Sequence, residues 1–135
     1  MNLAEQQIEL KVQKNIRLAE DDLVLWIQAA LDNRQSYGDL QEAQFRNLVR
    51  VADTTDSAEV IKNFLRYQVG RDNKWGRGDN SLAATIVNDI DGQIKKKAND
   101  IHQAISGSNL KFIWLDLIRR YLGYGARYLK YIKSK

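Results

Sequence analysis

Apolar residues recur every three or four positions through most of this chain, the spacing that gathers them on one face of an α-helix. Ile8, Val12, Ile16, Ala19, Leu23, Ile27 and Leu31 define such a face over residues 3–33. The Glu20, Asp21, Asp22 cluster suits a helix N-terminus. No Gly or Pro enforces a break there, so a single bent helix is preferred to two laid end to end. Ser36 to Asp39 supplies turn chemistry, with Gly38 to leave one helix and Asp39 to cap the next. The second predicted helix runs to about Val51 and buries Leu40, Phe45, Leu48 and either Val49 or Ala52. Asp53 to Ser57 breaks it, with Asp56 or Ser57 as the next cap, and the third helix turns Val60, Ile61, Phe64, Leu65 and Val69 inward.

After Asp79 to Ser81, which can cap a fourth helix, the apolar stripe is unusually regular: Leu82, Ile86, Ile90, Ile94, Ala98 or Lys97, Ile101, Ile105. Repeated four-residue steps drift around a helix axis, so this stripe requires neighbours that wrap it. Ser106 to Ser108 ends it, and a fifth helix, Asn109 to Ile132, presents Leu110, Ile113, Trp114, Leu117, Ile118, Tyr121 and Leu122. Proline is absent and no strand-type alternation is sustained. The expectation is an all-α protein, a compact bundle of about five helices in one domain over residues 1–135.

Composition limits the chemistry. The 135 residues are 44% hydrophobic and 28% charged, ordinary for a folded globular chain. With no Cys and one His, disulfide frameworks, thiolate chemistry and His-rich zinc sites are excluded. No apolar run reaches membrane-span length, and the acids of the first segment do not fit a signal peptide, so a cytoplasmic, metal-free protein is expected.

Enzyme templates fit poorly. Asp89 and Asp91 are two apart, which on a helix points their carboxylates to different sides, as capping or solvent-facing acids. His102 is expected to be a surface or hydrogen-bonded histidine. Asp72 to Asn80 resembles a calcium loop superficially, but Lys74 stands where an oxygen ligand is needed and no bidentate acid follows. The Gly-Arg-Gly and Gly-Tyr-Gly triplets lack the remaining features of a nucleotide cradle. No catalytic residue and no cofactor is expected.

The charge is lopsided. Residues 1–56 carry six Lys or Arg against ten Asp or Glu, a net of −4; residues 57–135 carry fifteen against seven, a net of +8, and the two recover the overall +4. Such asymmetry points to a polyanion on one side and a basic protein neighbour on the other, unless folding interleaves the halves.

Arg66 to Gly78, RYQVGRDNKWGRG, packs Arg66, Arg71, Lys74 and Arg77 with Tyr67, Trp75 and three glycines. Cations neutralise a nucleic-acid backbone, and an aromatic ring stacks on an unpaired base, worth about 1–3 kcal/mol per base. The plainer alternative is that Gly70 ends a helix, Trp75 tucks the loop onto the core and the arginines solvate the surface. The last helix repeats the pattern: Arg119, Arg120, Tyr124, Arg127, Tyr128, Lys130 and Tyr131 interleave cations and aromatics, although cations near a helix C-terminus also oppose its dipole. Gly123 and Gly125 cost about 1 kcal/mol each in a helix relative to alanine, so a close approach is expected there.

Three segments, FRNLVRVA (45–52), VIKNFLRYQVGRD (60–72) and YLGYGARYLKYI (121–132), resemble the small helical subunit of type III CRISPR effector complexes. Lys62, Phe64, Leu65, Tyr67, Gly70 and Arg71 occupy places comparable to that family's later motif. The resemblance covers mainly residues 45–72 and leaves the first helix and the Trp75 loop unmatched. It implies a non-catalytic subunit that stacks in several copies along guide and target RNA, contacting the backbone without reading sequence and touching the larger subunits through other faces. By position, Arg46, Arg50, Arg66 and Arg71 are the RNA contacts it implies. Two other readings compete: a helical protein-interaction module that oligomerises without nucleic acid, the last helix packing on a partner helix, and, more weakly, a membrane-surface role for the basic C-terminus.

Overall fold

Short polar side chains start most of the helices. The computed structural model describes residues 2–135. Asn2 Oδ1 accepts from the Glu5 amide at 2.8 Å and opens α1 (Leu3–Leu18). Ser57 Oγ accepts from the Val60 amide at 3.3 Å at the head of α4 (Ala58–Arg71), Ser81 Oγ from Ala84 at 3.0 Å at α5 (Leu82–Asp89), and Asn109 Oδ1 from Phe112 at 3.1 Å at α7 (Leu110–Lys133). Each satisfies an amide that has no partner inside the helix. Between them lie α2 (Glu20–Asp32), α3 (Glu42–Thr54) and α6 (Lys95–Ala104). Asp39, expected to cap α3, does not; the Gln41 amide donates to Gln44 Oε1 at 2.7 Å instead, inside the predicted start.

The first segment takes the two-helix alternative. Ala19, at φ −88 and ψ −8, separates α1 from α2, and its amide donates to both Asn15 and Ile16 carbonyls. That tightened last turn, followed at once by three acids at the next N-terminus, places the joint at the acidic cluster without Gly or Pro.

The four-step stripe also resolves physically. An α-helix turns about 100° per residue, so four steps of four residues would swing the stripe about 160° around the rod. A π-type turn, Ile90–Ile94, joins α5 to α6 and takes up part of that rotation. Leu82, Ile86, Ile90, Ile94 and Ala98 are all fully buried as a result. Six helical rods therefore make the bundle, one more than expected, and no strand occurs among the described residues.

α7 is the axis. It packs on α2, α3, α6 and α1, and its buried face joins one core that draws on every helix. Gly125 is the closest approach: a Cβ there would lie 2.6 Å from Phe45 Cζ and 2.7 Å from Ile27 Cγ1. Gly123, for which a close approach was also expected, has open space where a Cβ would stand. Two inward assignments also change: Val60 is exposed, and Ala52, not Val49, fills the buried place on α3.

Candidate nucleic-acid interface

Folding interleaves the two oppositely charged halves. Arg120 pairs with Glu20 at 2.9 Å, Lys97 with Asp22 at 3.0 Å, Arg119 with Asp56 at 3.6 Å and Lys133 with Asp39 at 3.6 Å. Each bridge joins an acid of residues 1–56 to a base of residues 57–135. Part of the lopsided charge is thus paired across the fold, and the asymmetry no longer argues for a separate basic partner.

Two predicted RNA contacts are spent in this way. Arg119 Nε donates to the Ala52 carbonyl at 2.8 Å and its Nη2 to the Thr55 carbonyl at 2.7 Å, so a half-buried guanidinium closes the C-terminus of α3. Arg120 donates to Asp116 at 2.7 Å, to Glu20 at 2.9 Å and to Gln13 at 3.1 Å. Burial lowers the Arg120 pKa, but its hydrogen bond to Asp116 and the nearby carboxylates outweigh that and leave it raised. Tyr124 donates to the second oxygen of the same Glu20 at 2.6 Å, so this network ties α7 to the α1–α2 joint. With their donors facing carbonyls and carboxylates of their own chain, Arg119 and Arg120 are structural clamps.

Trp75 is corrected more fully. It is 1% exposed, and its ring lies 5.5 Å from that of Phe45, tilted by 33°. No base can stack on it; the ring anchors the loop. The loop backbone is stitched on both sides, with the Gly38 amide donating to the Lys74 carbonyl at 3.0 Å and Ala83 to the Trp75 carbonyl at 3.1 Å. Gly76, at φ +80, sits so close to the preceding turn that a Cβ would meet the Ser36 carbonyl oxygen at 2.0 Å. Anchoring of this kind holds the flanking residues Lys74 and Arg77 in place.

What remains outside is compact in sequence and chemistry. α4 continues through Gly70 to Arg71, so Gly70 does not end it. Arg66, Tyr67 and Arg71 are exposed on its last turns, Tyr67 at 60%, and the Arg71 guanidinium lies 5.7 Å from the Tyr67 ring centroid. Arg77 is exposed on the loop that follows and Lys74 is half-buried. Among the described residues none of these four cations forms an ion pair. Arg66 also lines an apolar groove of about 290 Å³ between α4 and α5, with Leu65, Val69 and Val87. Arg46 and Arg50 are exposed on α3, which a three-residue connection joins to α4; Arg46 has only a 3.8 Å contact with Glu42, and Arg50 donates to Asn47 at 2.9 Å. Arg127 and Lys130 are exposed on α7, away from any ion pair among the described residues.

Three polar residues work inside the bundle instead. Lys62, matched to the family motif, is buried and bonds Asp91 at 2.9 and 3.1 Å and Glu59 at 2.7 Å. Asp89 is buried too, accepting from Tyr121 and Gln93, so Asp89 and Asp91 do diverge but neither is a cap and only Asp91 faces outward. His102 Nδ1 lies 2.8 Å from Ser108 Oγ at the α6–α7 joint. No group of His, Cys, Asp or Glu among the described residues is placed to hold a metal ion, and no helix is long and apolar enough to cross a membrane.

Comparison with protein-family models, curated proteins and solved structures finds no match to this chain. The class that the fold defines is an all-α bundle, with exposed Arg66, Tyr67 and Arg71 at the end of α4 and exposed Arg77 on the loop after it.

Proposed function

We propose that this protein is a non-catalytic RNA-binding subunit that contacts the RNA backbone without reading sequence, and that it serves in a type III CRISPR effector complex beside larger subunits. The supporting observation is the end of α4 and the anchored loop that follows: Arg66 and Arg71 flank exposed Tyr67 in sequence, Lys74 and Arg77 follow on the loop, and none of the four forms an ion pair among the described residues. Guanidinium and ammonium groups on such a surface neutralise phosphates, a contact that carries no sequence information. The family assignment comes from the resemblance of residues 45–72, which spans this same α3–α4 hairpin.

The test is binding of unrelated single-stranded RNAs at several salt concentrations. Arg66→Ala with Arg71→Ala weakens all of them about equally and lowers the salt slope by about 1.4, at roughly 0.7 for each phosphate no longer neutralised. Salt-insensitive binding, or no RNA in the isolated and assembled protein alike, removes the reading.

A protein-interaction module is the second reading. α7 supports it less, because most of its apolar face is buried by its own chain, Phe112 being the exposed exception. Leu3, Leu10, Leu18 and Leu25, each 61–73% exposed along α1 and α2, support it instead. Under it, size-exclusion chromatography finds a defined oligomer that RNA leaves unchanged.

A further inference from the structure

A second groove, of about 480 Å³, opens between α2 and α7 and is lined by Val24, Gln28, Tyr124, Arg127, Tyr128 and Tyr131. Two of its three tyrosines are fixed by their hydroxyls: Tyr124 donates to Glu20 and Tyr128 to Asp32, each at 2.6 Å. Tyr131 is 53% exposed, tilted against Tyr128 at 5.9 Å between centroids, and its face already attracts a cation, the Lys135 ammonium at 4.5 Å. No acid lines the groove itself among the described residues; behind it Glu20 pairs with Arg120, and Asp32 accepts from Tyr128. Arg127 is exposed and makes no ion pair among the described residues, and Lys130 stands three positions further along the same helix.

Resting on the RNA reading above, we propose that this groove takes one unpaired nucleobase of a single-stranded RNA, stacked on the Tyr131 ring with the adjoining phosphate on Arg127. Tyr124 and Tyr128, fixed by their hydroxyls, keep the groove open beside Tyr131, where the base takes the place of the Lys135 ammonium on the ring, and a stacked base gains affinity whatever its identity. The Gln28 side chain offers both a donor and an acceptor to the base edge, which tolerates any base. The site lies on α2 and α7, separate in sequence from the backbone-contacting end of α4. One surface then holds phosphates and the other holds a base, so single strands are preferred to duplexes.

The experiment compares a single-stranded oligo-uridine with heparin, a polyanion lacking bases, on the intact chain. Tyr131→Ala weakens oligo-uridine binding about fivefold or more while changing heparin binding less than about twofold, and Tyr131→Phe, which keeps the ring, stays near the wild-type affinity. Arg127→Ala weakens both ligands. If Tyr131→Ala leaves oligo-uridine binding unchanged while Arg66→Ala with Arg71→Ala weakens it, the groove assignment falls and the RNA reading stands. Equal losses for oligo-uridine and heparin with Tyr131→Ala also overturn base stacking. If the wild-type protein, alone and in its assembly, binds heparin but no RNA, both fall together. Thermal melting of each variant checks the fold; should Tyr131→Ala lower it, the Tyr131→Leu variant, apolar but without a ring, carries the same comparison.

Discussion

The Tyr121 hydroxyl donates to Asp89 Oδ2 at 2.6 Å, a buried bond that joins the central helix α7 to the end of α5. Gln93 donates to the other oxygen of the same carboxylate at 2.8 Å, so a buried acid is held from both sides. Burial, and then the Asp89 charge, push the Tyr121 phenol well above its ordinary 10.0. Because the folded form holds that proton more tightly than the unfolded one, the contribution is full below pH 10 and declines as pH rises through the folded-state value. Urea unfolding of Tyr121→Phe at neutral pH should show a loss of about 1–3 kcal/mol, the cost of leaving a buried acceptor short of a donor. The same variant should lose stability less steeply than wild type above pH 10.

Lys62 crosses from α4 to the π turn, with its side chain 7% exposed and both Asp91 and Glu59 in reach. Burial lowers its pKa, but the hydrogen bonds to Glu59 and Asp91 and their charges more than offset this, so it ends above 10.5. The stabilisation is therefore full below pH 10.5 and is lost as the ammonium deprotonates at higher pH. Asp91→Asn should cost about 1–3 kcal/mol by weakening the partner of a buried charge. Lys62→Met, which removes the charge and keeps the volume, leaves Asp91 and Glu59 largely in water and should cost about 1 kcal/mol or less in chemical denaturation. A gain in stability would show that burying the ammonium costs more than its ion pairs offset.

Two glycines of one helix should respond in opposite directions. Gly123→Ala meets nothing within 4 Å and gains helix propensity, so it should raise stability by up to about 1 kcal/mol. Gly125→Ala drives a methyl against Phe45 and Ile27 and should lower it by about 1–3 kcal/mol. Thermal melts of the pair, side by side, measure both.

Trp75→Ala empties the contact with Phe45 and should cost about 3–5 kcal/mol, with loss of the most buried tryptophan emission. If RNA affinity falls in this variant, it should fall with the order of Lys74 and Arg77, and Trp75→Phe should restore both. Binding that depends on the indole in an otherwise folded variant would contradict the anchoring role.

The all-helical fold was legible in the spacing of apolar residues, because a 3.6-residue period and the absence of proline leave few other ways to bury Ile86, Ile90 and Ile94 on one side. The caps at Ser57 and Ser81 were equally local, each needing only a short hydroxyl before an apolar run. The joint at Ala19 was less so: acids permit a helix start there, but whether the chain continues straight depends on the packing of α7 across both pieces. The cationic and aromatic composition of Arg66 to Gly78 could be read directly, yet not which side chains face water. Trp75 and Arg77 are two residues apart in a loop, and only the approach of Phe45 buries one and leaves the other out. Likewise nothing in the order of residues distinguishes Arg119, Arg120 and Arg127. The first two meet carbonyls and acids brought by distant helices, while the third forms no ion pair among the described residues, a difference made by long-range packing. Local periodicity determined the helices of this protein; tertiary packing decided which of its charges are paired within the chain and which stay exposed.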